Sequence, residues 1–245
     1  MMLHVLSQRL IAEAPSIGFC CRMFRFARYV AGIWLLTSGA FAATTFHQQL
    51  AELQAKLANE PTNTALIFKL ADFCYDEGAR DNAKAVEWAD KYFHQLLALE
   101  PQNALAMVML GSTQTMKARD AFWPQTRLDF ARKGNQTMDA AVMLAPQNPD
   151  VRFVRASNNS HMPKFMGREE IVRADFAGLW EQVVSQPQCC KEELKQDVAL
   201  CYGKLLWKQK KAAQAREIWA RGVKFNPDSR RAREIKEQLD AHRRD

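Results

Sequence analysis

Proline recurs along this chain at a nearly constant interval. Pro61, Pro101, Pro146, Pro187 and Pro227 are separated by 40, 45, 41 and 40 residues. Proline cannot continue an α-helix and disfavours helical backbone at the residue before it, so it commonly lies just outside a helix. A fixed period of this length is typical of arrays in which helical hairpins stack one after another. The spacing therefore predicts an all-α chain whose hairpins are bounded by the prolines.

The residues that flank the prolines support this interpretation. At four of the five, an apolar run stops before the proline, and a polar residue suited to capping the next helix follows within two positions. These capping residues are Asn63, Asn103, Asn148 and Ser229. Pro187 is followed instead by Gln188, Cys189 and Cys190, so the sequence predicts that its boundary is the weakest.

Side-chain size also repeats when residues are counted back from the last four prolines. Twelve positions upstream, the residue is small in three of the four units, namely Ala89, Gly134 and Ala215. Asp175 occupies that position in the remaining unit. Eight positions upstream, all four residues are large and apolar: Phe93, Met138, Leu179 and Trp219. A small side chain lets two helices approach closely, and a large one fills the space between them.

Apolar residues between the prolines recur at helical spacing, as in Phe46, Leu50, Leu53 and Leu57. Residues 119–137 interrupt this periodicity. Within them, Phe122-Trp123-Pro124 predicts a turn with the proline near the start of the next helix. We expect that helix to run from about Thr126 to Leu144, and a polar irregular stretch to cover 157–167.

One further pattern lies in the last unit and involves Tyr202, Gly203, Leu206, Ala215, Trp219, Gly222 and Pro227. These residues fall at the intervals of the 34-residue tetratricopeptide repeat (TPR) motif, and the unit resembles that superfamily. The resemblance implies antiparallel helix pairs that stack into a right-handed superhelix and bind peptides or proteins. The units between residues 62 and 187 are longer than the motif, so HEAT-like hairpins of about 40–47 residues stay open as an alternative. We expect an all-α fold of antiparallel helix-hairpin repeats, stacked as a TPR-like solenoid over residues 43–245.

Residues 1–42 have the features of a secretory signal. Arginines within residues 22–28 precede the apolar run 29–36, and an A-x-A site ends at Ala42. This order predicts cleavage after Ala42, with Met23 as an alternative start that would give a more compact signal. An uncleaved anchor is the other interpretation, although the apolar run is well short of the ~20 residues that a membrane-spanning helix needs. We expect the mature protein to be periplasmic or secreted.

Positive charge is concentrated toward the C-terminus. The whole chain has a net charge of +7, and residues 195–245 hold 14 Lys and Arg against 7 Asp and Glu. Such an excess favours an acidic partner, an anionic membrane surface or nucleic acid, and it equally fits a solvated outer face on a terminal helix. The secretory signal argues against nucleic acid. Membrane contact through the basic C-terminal region stays open.

The segment 152–168 is the strongest candidate site, because it replaces a regular hairpin with a polar stretch. In a chain that otherwise follows its repeat, such a break is where function is expected. Arg152 and Arg155 lie on one helix face, and their guanidinium groups can grip a carboxylate or a phosphate. The alternative is structural, with one of them paired to Asp175. The candidate binding residues in this segment also include Asn158, Asn159, His161 and Phe165.

Other chemistry is only weakly indicated. His161, Met162 and Met166 offer soft ligands that suit copper, but one histidine beside two methionines is a sparse set, and we predict no metal or other cofactor. The chain lacks the H-E-x-x-H, Walker, G-x-S-x-G and G-x-G-x-x-G motifs, so we predict no enzyme activity. Trp123 and Phe165 lie off the regular apolar stripes and are the better candidates for aromatic groove residues.

Four cysteines follow the predicted signal: Cys74, Cys189, Cys190 and Cys201. An exported protein can form disulfides, but the spacing favours no pair. Cys190 and Cys201 would be about 16 Å apart along one helix, and a bridge between the adjacent Cys189 and Cys190 would be strained. Cys74 fits the usual role of a buried small hydrophobic residue.

The sequence therefore predicts a non-catalytic scaffold of the cell envelope. It would bind a protein or peptide on a preformed concave face, with a few aromatic and arginine anchors. The alternative is a periplasmic small-molecule binding or transporter-accessory protein, because some exported members of the superfamily are thought to serve in that way. A scaffold predicts an open groove, whereas a ligand carrier predicts a closed apolar pocket.

Overall fold

The structure is a computed structural model that describes residues 46–243 of the 245-residue chain. The predicted signal over residues 1–42 lies outside this range. The described residues form ten α-helices and contain no β-strand, and no helix there is long and apolar enough to cross a membrane. The helices are α1 (46–59), α2 (Thr64–Gly78), α3 (Ala83–Leu99), α4 (Ala104–Asp120), α5 (Pro124–Leu144), α6 (Pro149–Asn159), α7 (Glu169–Ser185), α8 (Glu192–Lys208), α9 (Ala212–Phe225) and α10 (Arg230–Ala241).

The five regularly spaced prolines all lie in turns between helices. Each of the four predicted caps accepts a hydrogen bond of 2.9 to 3.3 Å from a backbone N–H in the first turn of the next helix, and the caps are Asn63, Asn103, Asn148 and Ser229. Such a cap stabilises a helix by about 0.5–2 kcal/mol. The helix after Pro187 begins without a side-chain cap, so the weak boundary predicted there is confirmed.

Two helix boundaries differ from the expectation. The helix expected from Thr126 begins at Pro124, because proline lacks the N–H that the first helical turn leaves unpaired and its φ already suits a helix. The stretch expected to be irregular over 157–167 begins only at Ser160, since α6 continues to Asn159. A short 3-10 helix at Lys164–Met166 then precedes α7.

The chain divides into two compact units after Leu99. In unit 1, α2 and α3 contact each other as a helical hairpin. Phe46 of α1 stacks on Phe73 with ring centroids 5.1 Å apart, and Gln54 Nε2 donates a hydrogen bond of 2.9 Å to the Tyr92 hydroxyl. These contacts pack α1 on both helices of the hairpin.

Unit 2 contains α4 to α10, and successive helices pack as antiparallel neighbours. The hairpins are α4 with α5, α6 with α7, and α8 with α9. The first helices of these hairpins also contact one another in order, because α4 contacts α6, α6 contacts α8, and α8 contacts α10. We call α4, α6, α8 and α10 the first-helix row.

The repeated size pattern corresponds to the packing inside the hairpins. The large residues eight positions before the prolines are fully buried, and they are Phe93, Met138, Leu179 and Trp219. Trp219 lies against Gly203 of α8, where an added Cβ would be 2.1 Å from the indole Nε1. The same Nε1 donates a hydrogen bond of 3.3 Å to the Leu200 carbonyl. The glycine therefore provides the space that the indole needs.

Substitution of Gly203 by alanine tests this close approach. Alanine is intrinsically better than glycine in a helix by about 1 kcal/mol, but here its methyl group would overlap the indole of Trp219. We expect Gly203→Ala to lower the free energy of unfolding by about 1–3 kcal/mol, measured by urea denaturation. Ala213→Ser at an exposed position of α9 is the control, with a change within about 0.5 kcal/mol. A Gly203→Ala protein more stable than wild type would contradict the packing described.

Candidate functional site

The two candidate arginines of α6 both contact Asp175 of α7. Arg155 binds it with two hydrogen bonds, from Nε to Oδ2 at 2.8 Å and from Nη2 to Oδ1 at 2.9 Å. Arg152 places its Nε 3.5 Å from Asp175 Oδ1. The Asp175 side chain is 4% exposed. The structural alternative, in which these arginines pair with Asp175, is thus confirmed.

A second carboxylate and a third arginine extend this group. Asp139 of α5 receives hydrogen bonds from both terminal nitrogens of Arg168, at 2.9 and 2.6 Å, and from Arg155 Nη1 at 3.2 Å. Burial opposes the charged form of Arg155, but its hydrogen bonds and attraction to the two carboxylates raise its pKa overall. We call Arg152, Arg155, Arg168, Asp139 and Asp175 the arginine–aspartate network.

The network joins three helices of unit 2. It links α5, α6 and the start of α7 through side chains that are one-third exposed or less. Arg152 also lies against Gly178, where an added Cβ would be 2.4 Å from its Nη2. A charged side chain therefore fills the gap beside a glycine, as Trp219 does in the next hairpin. In this structure the partner of Arg152 and Arg155 is Asp175. Their role in binding a ligand stays a prediction.

The two candidate asparagines at the end of α6 are buried. Asn158 Nδ2 donates hydrogen bonds of 2.9 Å to the hydroxyls of Ser112 and Thr115 on α4. Asn159 is 3% exposed, and neither polar atom of its side chain has a hydrogen-bond partner among the described residues. Asn158 thus fixes α6 against α4 within the first-helix row.

The His161 side chain contacts residues close to it in the sequence. Its Nδ1 lies 2.8 Å from the Ser157 carbonyl and 3.1 Å from the Ser160 hydroxyl. No group of three or more His, Cys, Asp or Glu side chains suited to a metal ion occurs within residues 46–243. The copper interpretation of His161, Met162 and Met166 gains no support from these contacts.

The candidate aromatic residues are exposed on loops of unit 2. Trp123 is 68% exposed and Phe165 is 78% exposed, and Phe122 beside Trp123 is 81% exposed. The rings of Phe122 and Trp123 pack edge to face with centroids 5.1 Å apart. Most other large aromatic residues of the unit lie partly or fully in the core, so these three differ in the apolar area they present to solvent.

A charged cluster between α8 and α10 was not predicted from the sequence. Arg231 contacts both Asp197 and Glu234, and all three side chains are a quarter exposed or less. Burial raises the pKa of Asp197 against the opposing attraction of Arg231, and burial lowers the pKa of Lys204. Asp197, Lys204 and Lys208 lie on one side of α8 by their spacing, and this side is half-buried to exposed.

All four described cysteines are free thiols. Cys189 and Cys190 have their Sγ atoms 3.3 Å apart, with the Cys189 thiol donating to Cys190. Burial is the main cause of raised pKa values at three thiols, about 12 for Cys74, about 12 for Cys190 and about 11 for Cys201. These three are therefore protonated and weakly nucleophilic near neutral pH.

The fold resembles that of a protein of known structure. A thermophilic TPR protein from Thermus thermophilus, solved as a crystal structure, superposes with a TM-score of 0.59 and 12% sequence identity, over 84% of this chain and 95% of that chain. The fold is TPR-like. No protein-family model and no curated protein sequence matches the chain. The comparison favours the TPR-like interpretation of the long hairpins over the HEAT-like one.

Substitution of Asp175 tests whether the network is structural. Asp175→Asn removes the anion shared by Arg152 and Arg155 and leaves two half-buried cations without it. We expect a loss of about 3 kcal/mol or more in the free energy of unfolding, measured by urea denaturation. Glu237→Gln is the control, since Glu237 is exposed within α10, with an expected change within about 0.5 kcal/mol. An Asp175→Asn protein of wild-type stability would mean that the network does not hold the helices together.

The raised thiol pKa values predict a steep pH dependence of alkylation. Because iodoacetamide reacts with the thiolate, labelling of Cys201 should rise about tenfold per pH unit between pH 8 and 10, below its pKa of about 11. Cys74, fully buried, should stay unlabelled in the native protein. Peptide mass spectrometry reads both sites, and urea-unfolded protein, with thiol pKa values near 8.5, is the control. Rapid labelling of Cys201 at pH 8 would rule out the raised pKa.

Proposed function

We propose that this protein is a non-catalytic scaffold that binds a protein or peptide partner. The TPR-like fold supports a scaffold role, because stacked helical hairpins present extended surfaces and such folds mostly serve in protein interactions. The observation that carries the proposal is the first-helix row of unit 2. Its helices contact one another in sequence, so a partner that lies along the row can touch several repeats at once.

The charged cluster identifies the part of the row best suited to binding. Asp197, Lys204 and Lys208 follow each other along one side of α8, which is half-buried at the first two and exposed at Lys208, and Arg231 and Glu234 continue the polar surface onto α10. Asp197, Arg231 and Glu234 hold one another in place through their ion pairs, so these three side chains lose little conformational freedom when a partner binds. Complementary charges on the partner would then make binding specific and fix the position of the partner along the row.

We also propose that the scaffold acts in the periplasm or outside the cell. The support is the order of arginines, apolar run and A-x-A site in residues 1–42. This placement makes the partner a component of the cell envelope. It rests on the sequence alone, and detection of a mature N-terminus at Ala43 by mass spectrometry of the secreted or periplasmic fraction is its direct test.

Site-specific photo-cross-linking tests the proposed binding surface. A benzophenone amino acid at position 204 on α8 should form a cross-link to one defined protein in the native envelope fraction. The same amino acid at position 224 is the matched control, since Lys224 is an exposed lysine of α9, outside the first-helix row. Cross-links of equal yield at the two positions would contradict the assignment of this surface.

A charge reversal then measures the contribution of the cluster. We expect Lys204→Glu to weaken binding of the captured partner at least fivefold, roughly 1 kcal/mol, by calorimetry. Lys224→Glu should leave the affinity unchanged. Equal thermal midpoints of the two variants would show that both are folded, and an unaltered affinity for Lys204→Glu would place the binding surface elsewhere.

A further inference from the structure

The order of the helices brings three loops to the same end of unit 2. Because successive helices are antiparallel, the turns within the hairpins lie at one end of the unit and the turns between hairpins lie at the other. Asn158 near the end of α6 contacts Thr115 near the end of α4, in agreement with this order. The loops within the hairpins cover residues 121–123, 160–168 and 209–211. We call them together the aromatic loop end.

Exposed aromatic side chains are concentrated at this end. Phe122 and Trp123 occupy the first loop, and Phe165 occupies the second, with exposures of 81%, 68% and 78%. The loops between hairpins, residues 145–148, 186–191 and 226–229, contain no aromatic residue. The adjoining rings of Phe122 and Trp123 form a small exposed apolar patch, and contiguous patches of this kind mark interaction surfaces. The rings stand on two loops, with Phe122 and Trp123 side by side on one and Phe165 on the other, so their ligand must accommodate anchors in two places.

The charge of the same loops is positive. None of the three contains an acidic residue, although Asp120 adjoins the first and Glu169 and Glu170 adjoin the second; together the loops carry Lys164, Arg168, Lys210 and Lys211. Around the third loop, the sequence from residue 198 to 216 has no acidic residue at all. Arg168 is already paired with Asp139, which leaves the three lysines as the main source of positive potential. The excess of positive charge at this end therefore lies mainly on the third loop, beside the two loops that carry the rings.

We propose that the aromatic loop end docks on an anionic lipid bilayer. Tryptophan and other aromatic rings favour the interfacial zone of a membrane, while lysines are attracted to anionic headgroups. A fluid interface adapts to anchors on separate loops and needs no matching groove, which suits the spread of the three rings. Docking of this kind is peripheral, with apolar side chains entering only the boundary of the acyl chains.

Fluorescence quenching in the full chain locates the contact. Vesicles of phosphatidylcholine and phosphatidylglycerol that carry bromine on their acyl chains quench tryptophans that enter the bilayer. We expect quenching in the reference protein that disappears in Trp123→Phe. The matched control is the double variant Trp123→Phe, Met143→Trp, because Met143 is 81% exposed near the opposite end of α5. A new indole there should show no quenching. All these proteins, including the reference, also carry Trp34→Phe, because Trp34 lies in the N-terminal apolar run and would be quenched if that run entered the bilayer.

Variants in the loops then separate the aromatic and electrostatic contributions. We expect Phe122→Ser with Phe165→Ser to weaken association with anionic vesicles about tenfold in co-sedimentation. Lys210→Gln with Lys211→Gln should weaken it by about tenfold as well, with no effect on vesicles of pure phosphatidylcholine. Unchanged thermal midpoints would confirm that these surface variants are folded.

Three results would overturn the proposal. They are an unquenched Trp123 in the reference protein, quenching at position 143 as strong as at position 123, and vesicle association that is insensitive to the loop substitutions. Cross-linking at position 204 concerns a different surface, so the scaffold proposal and the lipid proposal can fail independently.

Discussion

The close approach of paired helices is the constraint on which unit 2 depends. In each hairpin, a glycine on one helix leaves a gap that a large side chain of the partner helix fills. Gly203 receives the indole of Trp219, and Gly111 lies against Met138. The turns and capping residues set where the helices begin and end, but these contacts set how near the two helices lie. The separation of the unit into two ends with different chemistry follows from that antiparallel pairing.

In the α6–α7 hairpin, the gap beside the glycine is filled by a charged side chain instead of an apolar one. Its glycine is on the second helix, at Gly178, and the side chain that lies against it is Arg152. A guanidinium group in such a place needs a nearby anion, because an unpaired buried charge is costly. Asp175 supplies it from the position where the other repeats have a small residue. The irregular third repeat is thus a different solution to the packing of a helix pair.

Much of this fold could be predicted from local sequence signals. Prolines and capping asparagines act within a few residues, so the turns between hairpins and the starts of α2, α4 and α6 were predictable. The pairing of Arg152 or Arg155 with Asp175 was one of the two interpretations that the sequence offered. It was suggested because Asp175 occupies a position where the other repeats have a small residue. The Asp197–Arg231 contact was not predictable, since its residues are far apart in sequence and each has the spacing of an ordinary solvated helix face. Asn158 was predicted as a binding residue, but its burial was not predictable for the same reason, because its partners lie on α4.

The sequence separation of the packing contacts has a consequence for how the chain folds. Helices that touch are consecutive or next but one along the chain, so the loops closed by their contacts are short and carry a small entropic cost. Proteins with such low contact order tend to fold rapidly. Each hairpin can form as soon as its second helix becomes available, before the following hairpin has emerged. A chain of this kind is well suited to vectorial folding from the N-terminus, whether it leaves a ribosome or a membrane channel.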